Sequence, residues 1–150
     1  MDAYDSGKAR RVWQRVQAAQ PPSEPQAELD GLIAGAQTAK ATYLRLAQQG
    51  LTAEAPVLKK LAEKKQAQAA CLNGMRVLSA GHRHTAPLPP ARKEPPMTVL
   101  RRCRASEVRA LREYELRIAD RDHGPVWAEL AAEQRQLCRT LLELIGRMEG

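Results

Sequence analysis

The sequence predicts an all-α protein: one bundle of four long helices, arranged as two hairpins with a long proline-rich crossover between them. Three observations lead there. Ala (25) and Leu (18) dominate the 150 residues, aromatics are 3% and Phe is absent. Such a composition has high helix propensity and too few β-branched and aromatic side chains for a β sandwich or barrel. Four long segments carry apolar residues at alternating three- and four-residue steps, the period of a helix buried on one face. The ten prolines are concentrated in Pro21–Pro25 and Pro87–Pro96, with Pro56 and Pro125 where a periodic segment begins, and the first turn is where a helix tolerates proline.

Residues 1–26 form an N-terminal region. It comprises a short amphipathic helix at about 6–19, with Val12, Trp13 and Val16 along one edge suited to docking on the bundle, and a proline-rich linker. Residues 27–150 form the bundle. The first helix, at 27–49, has the seam Leu29, Leu32, Ala36, Ala39, Tyr43, Leu46. The second, at 54–80, has Leu58, Leu61, Lys65, Gln68, Leu72, Met75. The third, at 98–120, has Leu100, Cys103, Glu107, Ala110, Tyr114, Arg117, widened by Leu111 and Ile118. The fourth, at 124–148, has Trp127, Leu130, Gln134, Leu137, Leu141, Leu144, Met148. The short connections around Gln49–Thr52 and Asp120–Gly124 make each hairpin antiparallel. The crossover, 81–97, is long enough when extended to run more than one helix length, which permits parallel second and third helices. A repeat supports the two-hairpin reading. Pro56-Val57-Leu58 to Ala62 aligns with Pro125-Val126-Trp127 to Ala131, and Tyr43 with Tyr114 after a small slip.

Charge and cysteine usage narrow the function classes. Lys plus Arg exceed Asp plus Glu by 24 to 17, but the cations are spread over all helices beside Glu at helical spacing, the pattern of a solvated face. No concentrated basic stripe with stacking aromatics appears, so nucleic-acid binding is not expected. Cys71, Cys103 and Cys138 are odd in number and far apart, which fits reduced thiols and a cytoplasmic chain. No apolar run is long enough for a membrane span, and the N-terminus lacks the apolar core of a signal peptide. His82-x-His84 lies in the crossover and reads as a chance pair in a mobile segment. His123, Glu113, Glu115 and Glu129 read as loop or solvated positions, and Ser6, Ser79 and Ser106 have no partners that spell a nucleophile. No Gly-rich phosphate loop is present.

The informative positions are the polar exceptions on an otherwise apolar seam. Lys65 and Gln68 on the second helix, Glu107 on the third and Gln134 on the fourth fall at similar heights, and Ala36 is the small residue at that height on the first. Burying such groups costs several kcal/mol unless they pair and hydrogen-bond.

With its paired hairpins and lengthwise crossover, the chain resembles the ferritin-like, rubrerythrin-type superfamily, and more closely the small bacterial ferritin-like domain proteins. The resemblance runs from Val12-Trp13-Gln14-Arg15-Val16 to the C-terminus. It is most specific at Ala67–Leu72, Leu100–Cys103, Glu113-Tyr114-Glu115 and Cys138–Gly146. It implies a centre for two Fe or Mn ions, held by one Glu from each of two helices and a Glu-x-x-His from each of the others. Carried over position by position, the first Glu falls on Ala36 and the first Glu-x-x-His on Lys65-x-x-Gln68. The second Glu is retained as Glu107, and the second Glu-x-x-His becomes Gln134-x-x-Leu137. One carboxylate and two amides do not supply the charge or ligand strength two divalent metals need, and Lys65 adds an ammonium. The expected substitute is a buried Lys65–Glu107 ion pair with Gln68 and Gln134 around it, closed by Ala36 and Leu137.

The expected function is therefore that of a non-catalytic structural or binding component with no metal and no cofactor, a homodimer or the partner of another protein. The alternative is a diiron or dimanganese oxidoreductase reached through a register shift to Glu63, Glu113, Glu115 and Glu133.

Overall fold

A computed structural model describes residues 24–150; the expected N-terminal helix at 6–19 lies outside them. Four α-helices are present and no strand occurs among the described residues: α1 (Glu24–Gln48), α2 (Ala55–Ala80), α3 (Pro96–Leu116) and α4 (Gly124–Glu149). At 1.5 Å per residue they are about 32–39 Å long. Proline sets several ends. Pro56 and Pro125 lie in the first turns of α2 and α4. Pro95 is extended (φ −57°, ψ 140°) because Pro96 follows it, so α3 can begin only at Pro96. Gly81 (φ 85°) ends α2 in the left-handed region and donates its N–H to the Val77 carbonyl at 2.8 Å.

Two boundaries differ from the sequence reading by three residues or more. α1 begins at Glu24, three residues before the expected bundle boundary, with Pro25 accommodated in its first turn. α3 stops at Leu116 rather than 120. The chain turns through Arg117 and Ile118, and Ile118 is exposed instead of widening the seam. That turn packs on α4: a Cβ added to Gly124 would sit 2.6 Å from the Ile118 carbonyl oxygen. Gly124→Ala should therefore cost about 1–3 kcal/mol despite the better helix propensity of Ala. Urea denaturation measures it, and an unchanged or raised midpoint would refute the close contact.

α1 packs along α2 and α3 along α4, and the hairpins meet through α1 with α3 and α2 with α4. Two apolar clusters fill the bundle ends. Tyr43 and Leu46 join Leu58, Leu61, Leu100, Leu141 and Leu144 at one end. Ile33 joins Leu72, Met75, Tyr114, Trp127 and Leu130 at the other. The start of α1 thus lies with the start of α4 and the ends of α2 and α3. Hence α1 and α4 run parallel on one diagonal, α2 and α3 on the other. The connection from α2 to α3 must return along the whole bundle.

On α2 and α4 the predicted seam residues are buried with the exception of Met148, which is partly exposed. On α1 Ala36, Tyr43 and Leu46 are buried as the seam predicts, but near its start Ile33 takes the buried position and Leu29 and Leu32 are only partly covered. Arg117, placed on the α3 seam, is explained by its contacts. Its guanidinium stacks 5.5 Å from the Trp127 ring centroid and pairs with Glu28 at 2.9 Å, closing the end of the core.

The crossover, 81–95, is tied down rather than loose. Asn73 grips His84, accepting its backbone N–H at 2.8 Å and donating to its carbonyl at 3.2 Å. Gln37 accepts the Ala86 N–H at 3.2 Å and donates to the His84 carbonyl at 3.4 Å. Under this strap Arg76 is buried against Asp30, Nε to Oδ1 2.5 Å. His84 Nδ1 lies 3.7 Å from the other Asp30 oxygen.

Candidate functional site

Between the two apolar clusters the bundle carries one polar layer, and helical spacing builds it. Lys65 and Gln68, three apart, share a face of α2. Gln134 and Leu137 do the same on α4, while Ala36 with Tyr43 and Glu107 with Tyr114 sit two turns apart on α1 and α3. Lys65 is 1% exposed, Gln68 1%, Glu107 3% and Gln134 0%; Ala36 and Leu137 are buried beside them.

The geometry uses nearly every donor. Lys65 Nζ lies 2.8 Å from Glu107 Oε1 and donates to Gln68 Oε1 at 2.7 Å and Gln134 Oε1 at 3.3 Å. All three ammonium protons are thereby placed. Gln68 Nε2 donates to Gln134 Oε1 at 2.9 Å. Gln134 Nε2 donates to the Glu107 backbone carbonyl at 2.8 Å and to its Oε1 at 3.3 Å. The second carboxylate oxygen of Glu107 accepts the Tyr43 hydroxyl at 2.7 Å, and Tyr114 donates to Gln68 Oε1 at 3.3 Å. No buried side-chain nitrogen or oxygen of this layer lacks a partner.

The two tyrosines were legible only as apolar seam residues. Their role in the layer follows from a spacing the sequence does contain: each stands seven residues, two turns, after a central position. Burial, reinforced by the Glu107 carboxylate, pushes both hydroxyls well above the ordinary phenol range. They remain protonated donors. Burial and then Glu107 likewise push the Cys103 thiol up to about 11, so it is a neutral thiol at physiological pH rather than a nucleophile. Burial also raises Cys71 and Cys138.

The donor set does not fit a pair of divalent cations. It offers one carboxylate, already committed to an ammonium and a phenol, and two amides whose oxygens accept from Lys65. The carboxylates that a register shift would recruit, Glu63, Glu113, Glu115 and Glu133, are all exposed. Among the described residues no group of three or more His, Cys, Asp or Glu is placed to hold a metal ion. None of their helices is long and apolar enough to cross a membrane.

Sequence reasoning missed the second buried cluster, Asp30, Asn73, Arg76 and His84. Asn73 and Arg76 each follow a seam residue, on a flank that faces water in a bare bundle. Only the returning crossover buries them.

The fold and site together define a four-helix protein with a fully paired polar middle layer. The chain matches no family model, no curated protein and no solved structure.

Proposed function

We propose that the chain is a ferritin-like bundle whose dimetal centre has been replaced by a lysine-centred hydrogen-bonded layer, and that it works as a non-catalytic structural or binding component. The observation that carries this reading is the Lys65 ammonium, buried at the level of the former centre with its three protons on Glu107, Gln68 and Gln134. A cation fixed on a side chain neutralises the remaining carboxylate and repels a mobile one. The parallel diagonals and lengthwise crossover support the ferritin-like part, because they set Ala36, Lys65, Glu107 and Gln134 at one height on four helices.

Metal analysis of protein purified from iron- and manganese-supplemented cells tests the reading. Well under one equivalent of either metal per chain is expected. About two equivalents, the complement of a carboxylate-bridged centre, would overturn it.

A further inference from the structure

Beside the polar layer, α1 and α3 touch only locally and leave a cleft between them. The face α1 turns toward α3 is made of Gly31, Ala34, Gly35, Thr38, Ala41 and Thr42, and a cavity of about 710 Å³ remains between the helices. That volume lies within the range of small-molecule sites, roughly 300–1,000 Å³. Leu88, Pro89 and Pro90 of the crossover line it on one side, and Leu88 is more than half exposed. From Gly31 to Arg45 the trough runs about 21 Å along α1, a shape for a linear chain rather than a compact ring system.

Its charges are not evenly placed. Five cations line it against three carboxylates. Lys65 and Glu107 neutralise each other in the floor, and their protons and lone pairs are engaged within the polar layer. Glu94 is taken by Arg102, and Glu113 by Arg117. Arg45, half-buried in the last turn of α1, has no hydrogen bond or ion pair with any described residue. Arg92 lines the same end, close enough to Glu94 to act on its carboxyl. Exposed Arg109, partway along α3, hydrogen-bonds Ser106 Oγ and forms no ion pair among the described residues. The trough thus carries surplus guanidinium charge among the described residues, with Arg45 and Arg92 gathered at one end, the complement of a carboxylate on an alkyl tail.

We propose that this trough binds a medium-chain alkyl carboxylate, its headgroup at Arg45 and Arg92 and its tail running toward Gly31 under Leu88 and the crossover prolines. The ligand gives chemical content to the binding role proposed above and rests on it. Residues 1–23 are a poor occupant on charge grounds: Lys8, Arg10, Arg11 and Arg15 outnumber Asp2 and Asp5, the same sign as the rim.

Calorimetric titration of the full chain with dodecanoate and with dodecanol tests the proposal. Expected is one saturable dodecanoate site per chain, with dodecanol and the Arg45→Gln variant each binding about tenfold more weakly or worse. Gly35→Leu should abolish binding without lowering the melting temperature, because a Cβ there meets no atom within 4 Å and the larger side chain enters open trough. Absence of saturable dodecanoate binding, equal affinity for the alcohol, or wild-type affinity in either variant overturns it. Metal content is measured on the same samples. A null titration of metal-free protein removes the ligand and leaves the lost-centre reading standing, whereas dodecanoate binding by protein with two metals does the reverse.

Discussion

Lys65→Met destabilises the chain by about 3–5 kcal/mol, and Lys65→Met/Glu107→Leu recovers part of that loss. The single substitution leaves the Glu107 carboxylate 3% exposed with its cation gone. Only the Gln134 amide and the Tyr43 hydroxyl remain to solvate it. Removing the carboxylate as well relieves that penalty. What persists in the double variant is a Tyr43 hydroxyl without its acceptor, worth about 1–3 kcal/mol. Thermal melts of wild type and both variants measure the difference, with a drop on the order of 10 °C expected for the single change. A single variant that melts no lower than the double would mean that the buried pair contributes nothing.

Asp30→Ala should cost about 2–4 kcal/mol, and Asp30→Leu/Arg76→Met markedly less. Arg76 is 6% exposed, and its Nη1 already lacks a hydrogen-bond partner, so losing the carboxylate leaves a buried guanidinium with little compensation. The pair is less enclosed than Lys65–Glu107, because the Asp30 side chain keeps 15% of its exposure, and water offsets part of the loss. Asp30 also faces His84 on the strap, so the variant should loosen the crossover. Trypsin cleavage after Arg83, Arg92 or Lys93 then accelerates. Urea denaturation within about 0.5 kcal/mol of wild type, with unchanged cleavage, would show that Arg76 needs no counter-charge.

How much of this was legible in the sequence depends on where each signal is stored. Helix identity is local, written in the three-and-four spacing and in Pro56, Pro96 and Pro125, so the four elements could be read with ends off by a few residues. The polar layer was legible because a bundle seam is a strong constraint. Lys65, Gln68, Glu107 and Gln134 break it at one height, and the repeat aligns Lys65 with Gln134. The tyrosines hid because a phenol satisfies the apolar pattern and the hydrogen-bonding pattern together. The Asp30–Arg76 cluster was illegible for another reason. Its burial comes from the crossover lying over α1 and α2, and no helical period in either helix records what a distant segment covers. The same holds for the α1–α3 trough, because small residues at helical spacing do not record whether the neighbouring helix fills the space beside them.

Exposed ion pairs such as Arg101–Glu149 and Arg135–Glu115 contribute little by comparison. The energetic weight rests on the groups withdrawn from water.

The layer divides its partners between the two halves of the chain. Lys65 and Gln68 belong to one hairpin, Glu107 and Gln134 to the other, and each tyrosine reaches across to the opposite half. A hairpin formed alone would leave its apolar seam in water and its lysine or its glutamate without the partner that lets it be buried. Half-assembled species are therefore poor free-energy minima, and the protein passes between coil and native state as a single cooperative unit.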